Sequence, residues 1–235
     1  MKMQSQARTQ RLAGAKDDSK TIADGGQQES TTIKASDLNR DHPGPQTAVG
    51  GAILAAGKGE RYEGTYKLLD TVEGEPLIRR AVAPFVASCL EETVLVVGHK
   101  AEEVRAAVSD LEVTVIMNEA YEDGQSTSLR QGVEVARERG WDAIVYGLGD
   151  MPFVDADTID VVVQGYLENN GEIIAPAYEG KRGNPTLFGS DTYEALSAVT
   201  GDTGGRPVLR SRSDLVVLET DDPGVLRDID VKSDL

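Results

Sequence analysis

Three glycines and three cationic side chains fall close together in LAAGKGERYEGTYKLL, Leu54 to Leu69, directly after an apolar stretch. Gly57, Gly59 and Gly64 permit positive φ and close backbone approach, so successive N–H groups can converge on one anion. Lys58, Arg61 and Lys67 supply positive charge around that nest. At an effective dielectric of about 20, a cation about 4 Å from a phosphate oxygen contributes about 4 kcal/mol before desolvation, so Arg61 and Lys67 would strengthen a triphosphate cradle. The spacing is G-x-G-x-x-x-x-G, which is not the dinucleotide fingerprint, and Lys58 is followed by Gly59 instead of the Ser or Thr of a Walker A loop.

A second stretch with chemistry is GDMP, Gly149 to Pro152, which ends the apolar run AIVYGLG. A carboxylate at Asp150 can hold a hard cation such as Mg2+, or can simply form a turn, and Pro152 stops the strand. The acidic DID, Asp228 to Asp230, reads in isolation as solvated surface. KRGNPTLF, Lys181 to Phe188, joins a basic pair to a flexible glycine and an Asn-Pro turn, and reads either as a ligand-lining loop or as a surface hairpin. His99 has no catalytic partner that spacing identifies and reads as structural.

These motifs need a scaffold. The chain has 235 residues. Residues 1–46, rich in Gln, Ser, Thr, Asp and Gly, are expected to form a disordered tail, and residues 47–235 a single domain. From Thr47 onward, apolar runs such as AVGGAILAAG, TVLVVG, VTVIM and EIIAPAY alternate with helical patterns. That alternation predicts a mostly parallel α/β sheet, whose ligands sit beyond the carboxyl ends of the strands, where the motifs fall. Leu129, Val133 and Ala136 lie on one helical face, with Ser126 or Thr127 as the expected cap.

The formal charge of −16 argues against nonspecific contact with nucleic acid or an anionic membrane, so a phosphate ligand must meet a locally basic site or a bound cation. The acid-rich composition also suits a high-salt cytoplasm. Cys89, the only cysteine, precludes an intrachain disulfide, agrees with a reducing compartment, and reads as a small buried residue on a helix. No apolar run approaches the roughly 20 residues of a membrane span, and MKMQSQARTQRLAG lacks the apolar middle of a secretory signal. The expectation is a cytoplasmic protein.

Taken in order, LAAGKGERYEGTYKLL, QSTSLRQG, GDMP, KRGNPTLF, GDTGGRPVL and the closing DID resemble the molybdenum cofactor nucleotidyltransferases, most closely their cytidylyltransferase branch. The resemblance covers nearly everything after residue 48. It implies a three-layer, Rossmann-like nucleotide-diphospho-sugar transferase fold with a mostly parallel sheet. It gives Lys67 and Arg61 the phosphate contacts, and Leu54, Ala55, Ala56, Gly57 and Gly59 the loop around the nucleotide. Ser126, Ser128 and Leu129 match the base and ribose region. Asp150 and Asp230 match the metal ligands, with Mg2+ as the cofactor. Arg182, Asn184 and Arg206 become acceptor-side residues, the loop of Arg206 serving the acceptor or a dimer contact.

The implied reaction moves CMP from CTP to the phosphate of molybdenum-bound molybdopterin and releases pyrophosphate. Ala56 stands where the guanylyl branch typically carries glycine, which narrows the space beside the base and favours CTP over GTP. The alternatives are guanylyl transfer to the same cofactor, nucleotidyl transfer to a sugar phosphate, and a noncatalytic protein that delivers cofactor to a molybdoenzyme maturation partner. An oxidoreductase is disfavoured by the missing dinucleotide fingerprint. The chain departs from the family pattern by one extra residue between Arg61 and Gly64, and by Gly59 in place of a common serine.

Overall fold

The computed structural model describes residues 30–38, 47–59, 66–168 and 170–234. The elements follow the alternation of the sequence. Strand β1 (Thr31–Lys34) precedes β2 (Val49–Ala55), and a short hairpin of Thr71–Val72 with Glu75–Pro76 leads into α1 (Leu77–Ala87). Next come β3 (Thr93–Val97), α2 (Ala101–Ala107), β4 (Thr114–Met117), α3 (Gln125–Arg139), β5 (Ala143–Leu148) and α4 (Ala156–Leu167). The chain then forms β6 (Ile173–Tyr178), β7 (Lys181–Arg182), β8 (Thr186–Gly189), α5 (Tyr193–Ser197), α6 (Arg206–Ser211) and β9 (Leu215–Glu219).

The main sheet runs β1-β9-β6-β8-β5-β2-β3-β4, with β7 paired to β6. Its pairs are parallel except those of β8, which lies antiparallel between β5 and β6, and that of the short β7. The central strands are apolar on both faces because helices cover both. Successive residues alternate between two cores, with Ile53, Val145 and Val216 on one side and Ala52, Ile144 and Val217 on the other. Residues of α1, α2 and α4 complete the first core, and those of α3, α5 and α6 the second, giving an α/β fold of three layers.

Three local expectations are corrected. The tail is not without structure throughout, because Thr31–Lys34 adds a parallel edge strand beside β9 and Leu38 is buried. Its β-branched TTI suits a strand, but the partner lies near the opposite end of the chain, beyond the reach of a local reading. The expectation for residues 1–29 and 39–46 lies outside the described residues. Helix α3 is entered at Gly124, not at Ser126 or Thr127, which lie in its first turn. Gly124 sits at φ +104°, and a Cβ there would press into the Gly201 backbone, so both conformation and packing call for glycine. Cys89 is exposed beyond the end of α1, which stops at Ala87. The predicted face of α3 does form, with Leu129, Val133 and Ala136 all buried.

Candidate functional site

Beyond the carboxyl ends of β2 and β5 opens a cleft of about 900 Å³. One wall is Leu54 to Gly59, the continuation of β2 into the glycine-rich loop, and the root of that loop is pinned by aromatic side chains. The Tyr66 hydroxyl donates to the Gly57 carbonyl at 2.7 Å, and its ring meets His99 edge-on at 5.1 Å. The His99 backbone N–H donates to the Ala56 carbonyl at 3.2 Å. Burial, with the charge of Asp150 behind it, pushes the Tyr66 hydroxyl well above the ordinary phenol value, so it remains a donor. Gly59 turns with φ +63°. Across the mouth Lys58 pairs with Glu122 at 2.6 Å, and that contact holds the exposed Glu122 carboxyl below its usual range.

The floor carries three converging charges. Lys67, 11% exposed, places its Nζ 2.9 Å from Asp150 Oδ2 and 3.4 Å from Asp230 Oδ1. Asp150 arrives on the turn after β5, where the Met151 N–H donates to the Leu148 carbonyl at 3.2 Å. Asp230 arrives from the C-terminal segment, because the Ile229 N–H donates to the Asp150 carbonyl at 2.9 Å. Asp234 ties the next turn by accepting the Asp230 and Val231 N–H groups, each at 2.9 Å. These backbone hydrogen bonds draw the Asp234 carboxyl below its ordinary value, with a smaller pull from Lys67. Upstream, buried Asp222 accepts from the Asp155 N–H at 3.0 Å, the Thr158 hydroxyl at 2.8 Å and the Gly224 N–H at 2.7 Å, so the C-terminal segment is fastened to the start of α4.

Two carboxylates already converging on one cation are the oxygen donors a hard divalent ion prefers. Among the described residues no group of three or more His, Cys, Asp or Glu side chains could hold a metal. The pair of carboxylates fits a hard divalent ion only in part: Asp150 and Asp230 would be its two protein ligands, and oxygens from outside the protein would have to complete its shell.

The far wall is built by α3 and the loop before α6. The Ser126 N–H donates to the Gly201 carbonyl at 3.0 Å and the Gln125 N–H to Asp202 Oδ1 at 3.2 Å, so the first amides of α3 are engaged within the protein. Ser128, Asp202, Thr203 and Arg206 line this side. Ser126 and Leu129 do not line the cleft; both are buried, and Ser126 Oγ has no hydrogen-bond partner among the described residues. Arg61 and the extra residue beside it lie outside the described residues.

Arg182 and Asn184 are also not brought to the cleft. Their segment packs instead on the chain leading to Asp230: the Asn184 N–H donates to the Val225 carbonyl at 3.0 Å, and a Cβ on Gly183 would overlap that carbonyl. Gly183→Ala is therefore expected to push this backbone aside, at a cost of roughly 1–3 kcal/mol and a melting temperature lower by roughly 3–10 °C. Thermal melts check it. Tyr66, Glu122, Asp202 and Thr203 are cleft residues that sequence reasoning missed. Tyr66, beside Lys67 in the loop, and Asp202 and Thr203, within GDTGGRPVL, lay in stretches already singled out, whereas Glu122 carried no local signal.

Residues 51–216 match the family model described as a MobA-like NTP transferase domain. A nicotine blue oxidoreductase of Paenarthrobacter nicotinovorans is 27% identical over 191 residues, covering 77% of this chain and 92% of that protein. The bifunctional protein GlmU of a Ruegeria species is 31% identical over 140 residues, covering 58% of this chain, and the match spans only 30% of GlmU's length. Among solved structures, Rv0371c of Mycobacterium tuberculosis superimposes with a TM-score of 0.70 at 26% identity, covering 81% of this chain and 96% of that one. The same protein in complex with manganese gives a TM-score of 0.64 at 25% identity, with 80% and 96% covered.

Proposed function

The chain belongs to the MobA-like NTP transferase family, a family of nucleotidyltransferases, and from that premise we propose that it transfers CMP from CTP to the phosphate of molybdenum-bound molybdopterin. The observation that carries the reading is the convergence of Lys67, Asp150 and Asp230 beside the Gly57–Gly59 loop. A terminal phosphate oxygen of the acceptor attacks the α-phosphorus of CTP in line. The new P–O bond forms as the bond to the bridging oxygen breaks, and pyrophosphate leaves with that electron pair. The acceptor oxygen is already ionised near neutral pH, so no Ser, Cys or His nucleophile is needed.

This chain's part is positioning and charge complementarity. The loop wraps the phosphates, and Lys67 stabilises charge gathering on the leaving pyrophosphate. Arg61, as the family resemblance suggests, adds a second cation to the phosphates, and Arg206 faces the acceptor from the opposite wall. When bound between Asp150 and Asp230, Mg2+ supplies the neutralisation that brings a triphosphate to an acidic protein; the manganese complex of the Rv0371c protein supports a divalent ion.

Buried Ala56 stands at the loop root, and its methyl group is the feature that favours CTP. Ala56→Gly is expected to shift the GTP-to-CTP ratio of kcat/KM towards GTP by about tenfold, within the range a pocket clash controls. Competition between the two nucleotides in one assay measures it.

The test of the function is a panel of CTP, GTP, UTP and ATP, each with molybdopterin or with sugar phosphates, read by pyrophosphate release. CTP with molybdopterin is expected to be the productive pair. The GlmU match favours sugar phosphates as the second reading, and productive turnover with one of them would replace molybdopterin as the acceptor. The nicotine blue oxidoreductase match motivates one added arm, in which binding and oxidation of NADH or NADPH are followed; cofactor oxidation without pyrophosphate release would overturn nucleotidyl transfer.

A further inference from the structure

Asn118, one residue past β4 and only 2% exposed, is absent from the cleft lining and has no place in the reaction above. Its backbone N–H donates to the Val97 carbonyl at 2.8 Å, which fixes it at the carboxyl end of β3. Its side-chain orientation follows from Ala120, whose backbone N–H lies 3.1 Å from Asn118 Oδ1. A backbone N–H can only donate, so the atom facing it must be the carboxamide oxygen. The amide nitrogen therefore faces Thr127 Oγ1 at 2.8 Å and Ser128 Oγ at 2.9 Å, and gives a hydrogen to each.

Both hydroxyls are thereby acceptors, and each still has its own proton to place. Thr127 donates to the Gly124 carbonyl at 2.8 Å. Ser128 has no acceptor for its proton among the described residues, and it lines the cleft. Resting on the nucleotide reading of this cleft, we infer that Asn118 is a positioning residue that makes the Ser128 hydroxyl an obligatory donor to an acceptor atom on the nucleoside half of the ligand. The wall itself supports the nucleoside half over the phosphates, since on it the carboxylate of Asp202, held by the Gln125 N–H, offsets the charge of Arg206, whereas the glycine-rich loop and Lys67, assigned to the phosphates, form the other wall and the floor. An uncharged acceptor, such as a base carbonyl or a ribose oxygen, suits that setting better than an anion. Asn118→Asp reverses the polarity: a carboxylate only accepts, so Ser128 would turn its proton inward and offer the ligand lone pairs.

The experiment is calorimetric titration of the full chain with CTP in the presence of Mg2+, with GTP, UTP and ATP in parallel. It compares wild type, Asn118→Asp, Ser128→Ala and the double variant. Each single substitution is expected to weaken CTP binding by about tenfold, the worth of one well-made hydrogen bond. The double variant is expected to bind no more weakly than either single one, because Asn118 acts only through Ser128. Losses that multiply in the double variant, or unchanged affinity in Ser128→Ala, would overturn the inference, and a purely structural Asn118 would lower the melting temperature without this non-additivity. Should the buried carboxylate prevent folding, Asn118→Ala takes its place in the same cycle, with a loss of about threefold expected. Wild type that binds none of the four nucleotides overturns the nucleotide reading as well; binding without the coupling overturns the Asn118 inference alone.

Discussion

Asp150→Ala is expected to lower pyrophosphate release by about a hundred- to a thousandfold, the usual consequence of deleting a group aimed at developing phosphate charge. The backbone geometry makes the substitution a clean one. Asp150 receives the Ile229 N–H on its carbonyl oxygen, not on its carboxylate, and alanine keeps that bond. The C-terminal segment is also fastened to the start of α4 by Asp222, and Asp234 ties the turn at Asp230 internally, so Asp230 stays in place while its partner carboxylate is removed. Melting temperature should change little, and Mn2+ binding in the presence of CTP, followed by electron paramagnetic resonance, should be lost with activity. Asp150→Asn keeps the size and an acceptor for Lys67 but not the charge, so it separates packing from electrostatics. Near wild-type turnover in both variants would remove Asp150 from the reaction.

The parts of this site differ in how far they could be read from the sequence, and the differences have physical causes. The face of α3 was legible because period 3.6 is local, and Leu129, Val133 and Ala136 are buried as that period requires. The α/β alternation was legible for the same reason. The entry of α3 was not, because it depends on Gly124 fitting against Gly201, a contact between distant parts of the chain. Asp230 by itself looked like surface, and it is half exposed; the family resemblance paired it with Asp150, and the bond from Ile229 to the Asp150 carbonyl is what brings the two together in the fold. The basic turn at Lys181 to Asn184 carries polar groups suited to a ligand, yet its backbone is used to seat the segment that delivers Asp230. Residue type identified the chemistry available, and the long-range backbone bonds determined which of those groups meet.

Lys67→Ala is expected to move two measurements in opposite directions. In the folded chain the ammonium lies between Asp150 and Asp230, the position in which a divalent ion would also find its two protein ligands. A lysine side chain has several rotatable bonds, so binding of metal and triphosphate together can displace the ammonium towards the phosphates, where the two charges it leaves behind are met by the ion. Loss of Lys67 should therefore lower turnover by about a hundred- to a thousandfold through lost stabilisation of the leaving group. It should at the same time tighten Mn2+ binding to the nucleotide-free protein, by about tenfold, because a positive charge no longer competes for the carboxylates; the full interaction of about 4 kcal/mol at 4 Å is reduced by the solvent around the half-exposed Asp230. Wild type should bind Mn2+ weakly alone and strongly with CTP, since two carboxylates are too few ligands for a hard ion without phosphate oxygens. Lys67→Arg separates the roles further: it restores charge between the carboxylates and hence weak metal binding, but its larger planar head cannot place its charge where the compact ammonium sits, so turnover stays low. If Lys67→Ala weakened metal binding and turnover together, the lysine would be a structural clamp on the two aspartates and not the cation that a metal–nucleotide pair displaces.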